Sequence, residues 1–210
     1  MNQQQLLLFD QQIATPFTPG QRQALDLYPT HRDLTLALLE RVAISGRVAE
    51  PAAGPGDMAR VLLAHPGITA VTTNDIDPQW STDFTGDAGN PGAAVWKRPY
   101  DWVVTNPPFS VAPSILRIAY ECAGVGVAFL LRLSFAEPAG NRAGNRGDWL
   151  AEHADQLRHV LVFGQPRPSF TPGCGTDSVT TAWFVWQKGW SWARLGIAPP
   201  FQFVMGWKRP

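Results

Sequence analysis

The sequence predicts an α/β protein with a doubly wound, mostly parallel sheet and helices on both faces. Two observations lead to this prediction. Short apolar or β-branched segments alternate with segments of helical periodicity along most of the 210 residues, and a turn rich in glycine joins one such strand to the next helix. Ligands of sheets of this kind bind at the carboxyl ends of the strands. The turns that follow strands are therefore the first candidates for a functional site.

The first half of the chain contains the elements around that turn. Leu34, Leu38 and Val42 recur at helical spacing, and Thr30 with Asp33 resembles a capping box, which predicts a helix over residues 31–43 that ends before a glycine. The remaining segments are predicted by β-branched runs or by helical spacing: strand 47–50, helix 57–64, strand 68–74 and strand 101–105.

The second half continues the alternation. Its predicted elements are helix 113–122, the apolar strand 125–133, helix 149–157, strand 159–163 and the aromatic strand 179–187. Residues 164–175 are rich in proline and glycine and predict a loop before the last strand.

Length and composition limit the class of protein. The 45% hydrophobic and 16% charged residues are typical of a globular chain of one domain. We expect the glutamine-rich residues 1–27 to form a flexible arm and residues 28–210 to form a single domain. Two cysteines form neither a disulfide framework nor a metal site, and neither a signal peptide nor a membrane-spanning segment is evident. We therefore expect a cytoplasmic protein that binds no metal and no membrane.

The first candidate site is the turn Glu-Pro-Ala-Ala-Gly-Pro-Gly at residues 50–56. Gly54 and Gly56 allow the backbone to approach a ligand closely, and the helix that follows presents free N–H groups. With Ala59 the run also satisfies the relaxed dinucleotide fingerprint Gly-x-Gly-x-x-Ala, so that NAD is one candidate cofactor. Glu50, beside the turn, can hold a cationic amino group.

An acid at the end of the second strand supports a nucleotide cofactor. Asp75 can accept hydrogen bonds from two ribose hydroxyls, and Ile76 can pack on an adenine ring. This pattern serves NAD and S-adenosylmethionine equally well.

The segment Asn106-Pro107-Pro108-Phe109, which follows the fourth predicted strand, is the most specific in the chain. The amino nitrogen of a base is a weak nucleophile because its lone pair is delocalised into the ring. The side-chain oxygen of Asn106 and the carbonyl of Pro107 are two acceptors that can draw it toward tetrahedral geometry. Phe109 offers a stacking face to a base flipped out of a duplex.

Together these motifs resemble those of amino-methyltransferases that use S-adenosylmethionine, above all the small DNA N6-adenine methyltransferases of bacteriophages and prophages. The resemblance covers residues 28–187 and implies a Rossmann-like sheet with a terminal antiparallel strand. It also implies Asp87 as the acid near the adenine of the cofactor, with Asp83 as its rival. The implied cofactor-binding residues are Tyr28, Pro29, Thr30, Glu50, Pro51, Ala52, Gly54, Gly56, Asp75, Ile76, Asp87 and Ala88.

The resemblance implies DNA, with an adenine flipped out of the stack, as the partner. Phe170 would border the pocket for the base, and Arg142 and Arg146 lie in the segment 136–148 that is the best candidate for contacting DNA. Lys plus Arg and Asp plus Glu both number 17, so binding to phosphates has to depend on local clusters of arginine. The balanced charge also fits a homodimer with an enlarged DNA surface.

Three alternatives remain open. The same tetrapeptide serves guanine N2 in RNA and the amide of a protein glutamine. An NAD-dependent oxidoreductase is permitted by the glycine fingerprint but lacks an evident hydride-transfer set. A methyltransferase fold can also persist as a DNA-binding module without activity.

Overall fold

A computed structural model describes residues 29–137, 146–164, 167–168 and 179–201. Within these residues seven strands form one sheet: β1 Gly46–Glu50, β2 Ile68–Asp75, β3 Phe84–Thr85, β4 Tyr100–Thr105, β5 Ala123–Arg132, β6 Leu157–Val162 and β7 Thr181–Gln187. The α-helices are α1 Arg32–Leu39, α2 Asp57–Leu63, α3 Ala112–Cys122 and α4 Arg146–Glu152. Short 3-10 helices span Ala94–Lys97, Leu133–Ala136, Ala154–Gln156 and Ala193–Leu195.

The strands lie in the order β3-β2-β1-β4-β5-β7-β6. Strands β1 to β5 pair in parallel, whereas β7 is antiparallel to both of its neighbours, β5 and β6. The chain winds from β1 to β3 in one direction and resumes at β4 on the other side of β1, which makes the crevice between β1 and β4 the switch point where ligands bind in such sheets. The predicted doubly wound sheet with an antiparallel last strand is confirmed.

Each face of the sheet has its own apolar core, because successive side chains of a strand point to opposite faces. Trp102 and Val104 of β4 pack with residues of α1 and α2, while Val103 between them packs with residues of α3 and α4. All three side chains are at most 1% exposed. The predicted helices on both faces are thereby confirmed.

Helix α1 differs from its prediction at both ends. The predicted capping role of Thr30 is wrong: His31 is the N-cap, and its ring accepts a hydrogen bond of 3.3 Å from the backbone N–H of Asp33. The helix ends at Leu39 instead of residue 43, because the N–H of Arg41 bonds to the carbonyl of Leu38, three residues back, and tightens the last turn.

The other differences concern boundaries and one missing strand. The predicted helix 149–157 begins earlier, at Arg146, and ends at Glu152, while the buried Leu157 already belongs to β6. Strand β5 ends at Arg132, and the next four residues form a 3-10 helix. The two-residue β3 was not predicted, because two residues are too few to show an alternating pattern.

None of the helices in the described ranges is long and apolar enough to cross a membrane. In the same ranges, no three His, Cys, Asp or Glu side chains are grouped in a way that could hold a metal ion.

Gly126 of β5 provides a test of the packing across the sheet. A Cβ atom at this position would lie 2.5 Å from the carbonyl oxygen of Trp186 and 2.8 Å from the Trp102 ring, whereas at Gly164 it would have no neighbour within 4 Å. We expect Gly126→Ala to lower the free energy of unfolding by about 1–3 kcal/mol or more through overpacking. Urea unfolding measures the change, with Gly164→Ala as the matched control, and equal stability of the two variants would contradict this packing.

Candidate active site

The turn between β1 and α2 takes the conformation that its glycines predict. Gly54 and Gly56 have φ angles of +50° and +81°, in the left-handed region that favours glycine, and Gly56 is the N-cap of α2. The N–H of Ala53 donates to the carbonyl of Asn74 at 2.9 Å, which joins the turn to the end of β2. Pro51 is buried and Ala52 half-buried, so the turn is held firmly on the sheet.

Asp75 ends β2 beside this turn and is 7% exposed. Its Oδ2 accepts from the N–H of Gly54 at 2.7 Å, and its Oδ1 accepts from the N–H of Asp77 at 2.9 Å. Burial raises the pKa of the Asp75 carboxyl, and these two hydrogen bonds oppose the rise. Because a carboxylate oxygen has two lone pairs, both oxygens keep the capacity for a further donor, such as a hydroxyl group.

Asn74, near the end of β2, joins the glycine turn to the loop after β3 and was not predicted as a site residue. Its side-chain Nδ2 donates to the carbonyls of Pro51 and Gly86, each at 2.9 Å. The N–H of Gly86 in turn donates to the carbonyl of Asp75. The signal in the sequence that could have indicated this role was a polar residue within a β-branched strand. In the structure Asn74 is only 1% exposed.

Glu50 is the most unusual ionisable group of the site. It is 2% exposed, and its pKa is raised well above the ordinary range by burial and by the nearby carboxylates of Asp57 and Asp75, against a hydrogen bond from the N–H of Ala59. Its Oε2 is buried without a hydrogen-bond partner. An unpaired buried carboxylate oxygen is costly, and a cationic group bound at this point would relieve that cost.

The side chain of Arg60 in α2 contacts the glycine turn and the start of its own helix. Its guanidinium donates to the carbonyl of Pro55 at 3.2 Å and to the Asp57 carboxylate. Its charge also opposes the rise in the pKa of Glu50.

The residues after β2 and β3 differ in exposure and partners. Ile76 is 55% exposed, which is unusual for an isoleucine beside a buried acid. Asp83 precedes β3, and its Oδ2 accepts from both the N–H and the hydroxyl of Thr73. Asp87 follows β3 at the carboxyl edge, accepts from the N–H of Gly89 at 2.8 Å, and precedes the buried Ala88. The position at the carboxyl edge favours Asp87 over Asp83 as the acid near a ligand.

The Asn-Pro-Pro-Phe segment begins directly after β4, at the switch point. Nδ2 of Asn106 donates to Oγ1 of the buried Thr30 at 3.1 Å. This hydrogen bond directs the NH2 group of the amide toward the start of α1, so that Oδ1 is the atom of this amide that can accept from a ligand. Both residues are predicted site residues, but the contact between them does not follow from the sequence pattern.

The two prolines have different partners. The carbonyl of Pro108 accepts from the N–H groups of Val111 and Ala112 and so begins α3, while no backbone N–H in the described ranges donates to the carbonyl of Pro107. Phe109 is half-buried, and the guanidinium carbon of Arg132 lies 4.6 Å from its ring centroid.

Three predicted site residues, Tyr28, Arg142 and Phe170, lie outside the described residues. Arg146 begins α4, where its guanidinium donates to the carbonyl of Glu137 at 2.6 Å and lies 4.9 Å from the Phe135 ring centroid. Its role toward a substrate stays a prediction. Pro29 is exposed and lies directly before Thr30.

A groove of about 840 Å³ runs between α1 and α2. It shares Pro29 and Thr30 with the predicted site and continues to His65 and Pro66, beyond the end of α2. Because neither Asn106 nor the glycines of the turn line it, we place the site at the carboxyl edge of the sheet and not in this groove.

Neither a protein-family model nor a curated protein matches the sequence. Solved structures do match. A Pyrococcus horikoshii protein assigned as an RNA methyltransferase superposes with a TM-score of 0.56 at 18% identity, covering 89% of this chain and 98% of its own. TrmN from Thermus thermophilus gives 0.52 at 21% identity, and the methyltransferase subunit of a type I restriction-modification system from Streptococcus thermophilus gives 0.53 at 14%.

The last two matches cover 74% and 77% of this chain but only 48% and 45% of the matched chains, so this chain spans about half of their length. At these identities the likeness shows the fold: the sheet and its flanking helices have the same architecture as these three structures.

The buried Glu50 should make stability depend on pH. The unfolded chain releases the glutamate proton near pH 4.3, whereas the folded protein retains it to higher pH, so the folded state binds more protons and stability falls as pH rises through this window. We expect Glu50→Gln to abolish this fall and to be more stable than the wild type at neutral pH. Thermal unfolding from pH 5 to 8 measures it, with the exposed Glu152→Gln as the control, and parallel profiles of wild type and Glu50→Gln would contradict it.

Proposed function

We propose that the protein transfers a methyl group from S-adenosylmethionine to the exocyclic N6 amino group of adenine in DNA. The observation that carries this proposal is the Asn106 amide, fixed by Thr30 at the carboxyl end of β4 and next to the glycine turn. The strand register supports this proposal: Ala49 of β1 pairs in parallel with Val103 of β4, and residues that follow neighbouring parallel strands lie at the same edge of the sheet.

The residues around the turn fit S-adenosylmethionine. The unpartnered Oε2 of the buried Glu50 suits the ammonium of the methionine part, which would supply both a hydrogen bond and a compensating charge. Asp75 would accept from the ribose hydroxyls, and the exposed Ile76 offers an apolar surface to the adenine, with Asp87 and Ala88 nearby. Pro29 and Thr30 would border the methionine part, as the resemblance implies.

When bound, the cofactor would supply an electrophilic methyl group on a sulfonium sulfur, and the neutral thioether S-adenosylhomocysteine would be the leaving group. The chain supplies position and polarity. Oδ1 of Asn106 and the carbonyl of Pro107 accept the two N–H groups of the amine, which favours tetrahedral geometry and directs the nitrogen lone pair outward. The alkylated nitrogen is acidic and loses a proton to water, so a titratable base next to it is unnecessary.

DNA adenine is the favoured substrate because the Asn-Pro-Pro-Phe segment, the upstream Pro29-Thr30 element and their order resemble the phage enzymes. An aromatic residue at position 109 partly replaces the stacking that a flipped base loses. Guanine N2 in RNA and the amide of a protein glutamine present similar planar amines to the same acceptors, so the choice among them needs a direct test.

The first experiment is methyl transfer from tritiated S-adenosylmethionine to unmethylated DNA, RNA and protein, followed by digestion and mass analysis of the product. We expect N6-methyladenine in DNA. Asn106→Ala should abolish turnover but bind the cofactor almost as well as the wild type, because the amide acts on the amine. Label found only in RNA or protein would overturn the choice of substrate, and a protein that binds no cofactor would overturn the proposed activity.

The contact between Thr30 and Asn106 gives a second prediction. Thr30→Val removes the acceptor that orients the amide, and we expect kcat to fall about 3- to 10-fold, the equivalent of one hydrogen bond of about 0.5–1.5 kcal/mol. Thr30→Ser keeps the hydroxyl and should restore most of kcat. Both are assayed at saturating cofactor, so that a change in cofactor affinity does not enter, and an unchanged kcat in Thr30→Val would show that the contact does not orient the amide.

A further inference from the structure

Arg132 lies beside the catalytic segment but belongs to none of the motifs described above. It is the last residue of β5, and β5 pairs with β4 up to Thr105 and Phe129, so its side chain extends from the same edge as Asn106. Its guanidinium carbon is 4.6 Å from the centroid of the Phe109 ring, at the distance of a cation–π contact. The residue is half-buried, so that part of its surface remains accessible.

Among the residues that the structure describes, no acid balances the charge of Arg132. Arg41, Arg47 and Arg60 each have a carboxylate within 4.0 Å, whereas no carboxylate of a described residue lies within that distance of Arg132. A guanidinium has five N–H donors, and an aromatic ring satisfies none of them as a carboxylate or phosphate would. Within the part of the chain that the structure describes, the guanidinium of Arg132 therefore has an aromatic partner and no carboxylate partner.

A second arginine lies further along the same edge. Phe135 follows Arg132 by three residues, and the guanidinium of Arg146 contacts its ring. The exposed Glu137 contributes its backbone carbonyl, which accepts from Arg146. Two arginines, each resting on a phenylalanine, therefore flank the 3-10 helix that follows β5.

We propose that Arg132 binds a phosphodiester next to the target nucleotide and thereby selects nucleic acid as the substrate class. The inference rests on the proposed function, since it takes Phe109 as the surface beside a flipped base. A base next to Phe109 brings its own backbone phosphates near this edge, and the planar donor fork of arginine matches phosphate oxygens. A peptide that presents a glutamine carries no such anion beside its amide.

The test measures binding of a fluorescein-labelled DNA oligonucleotide, and of the matching RNA, over a range of salt concentrations with S-adenosylhomocysteine present. We expect Arg132→Gln to weaken binding about tenfold at low salt and to reduce the slope of log K against log salt by about one, as the loss of one phosphate contact requires. Arg132→Lys keeps the charge and should keep the slope.

Arg98→Gln is the matched control. Arg98 also lies over a phenylalanine, 5.0 Å from the centroid of Phe84, and its substitution removes the same charge before β4, at the opposite end of that strand from Asn106. It should leave both binding and slope unchanged. Thermal unfolding of each variant checks that it folds, and the ratio of DNA to RNA affinity tells which nucleic acid supplies the phosphate.

Two results would overturn the inference: an unchanged salt slope in Arg132→Gln, even with reduced kcat, or no oligonucleotide binding by the wild type. The first would mean that Arg132 only supports the Phe109 ring. The proposed function fails separately. Oligonucleotide binding that depends on Arg132, without formation of N6-methyladenine, would contradict the adenine activity and leave the phosphate contact standing.

Discussion

The hydrogen bond from the N–H of Gly54 to the carboxylate of Asp75 is the contact on which the geometry of the site depends. It spans the ends of β1 and β2 with a length of 2.7 Å in a buried setting, where such a bond is electrostatically strong. Asn74 beside it holds the carbonyls of Pro51 and Gly86. These hydrogen bonds connect the glycine turn and the loop after β3 to the end of β2, so that the strands set the relative positions of the two loops.

The same edge of the sheet also holds an unfavourably buried acid. Glu50 has an oxygen without a partner and acidic neighbours on two sides, and the hydrogen bond from Ala59 and the charge of Arg60 compensate only in part. A residue that served folding alone would be better replaced by an apolar one of similar volume. The buried position of Glu50 is explained if a cationic ligand binds beside it. The same side chain that destabilises the free protein would then stabilise the complex.

The parts of the structure that depend on periodicity and on turn chemistry could be predicted from the sequence. The alternating strands and helices, the glycine turn and the segment after β4 all follow from local patterns, and the sheet brings them to one edge. Contacts that depend on a specific pair of distant side chains could not be predicted. Thr30 was assigned to cap α1, whereas its hydroxyl meets Asn106, 76 positions away. Strand β3 could not be predicted because two residues are too few to show an alternating pattern.

Arg132 also shows that the net charge of a chain does not describe the local charge around a site. A net charge of zero argues against a polyanionic partner only if the charges are evenly distributed, and a site senses mainly the charges within about one Debye length, roughly 8 Å at physiological salt. Arg41, Arg47 and Arg60 are paired with acids and contribute little field at a distance. The arginines that contact Phe109 and Phe135 have no carboxylate partner among the described residues and lie near the Asn-Pro-Pro-Phe segment. Aromatic partners hold a guanidinium in place without neutralising it, so that a chain with balanced composition can still present a local positive surface where a phosphate would approach.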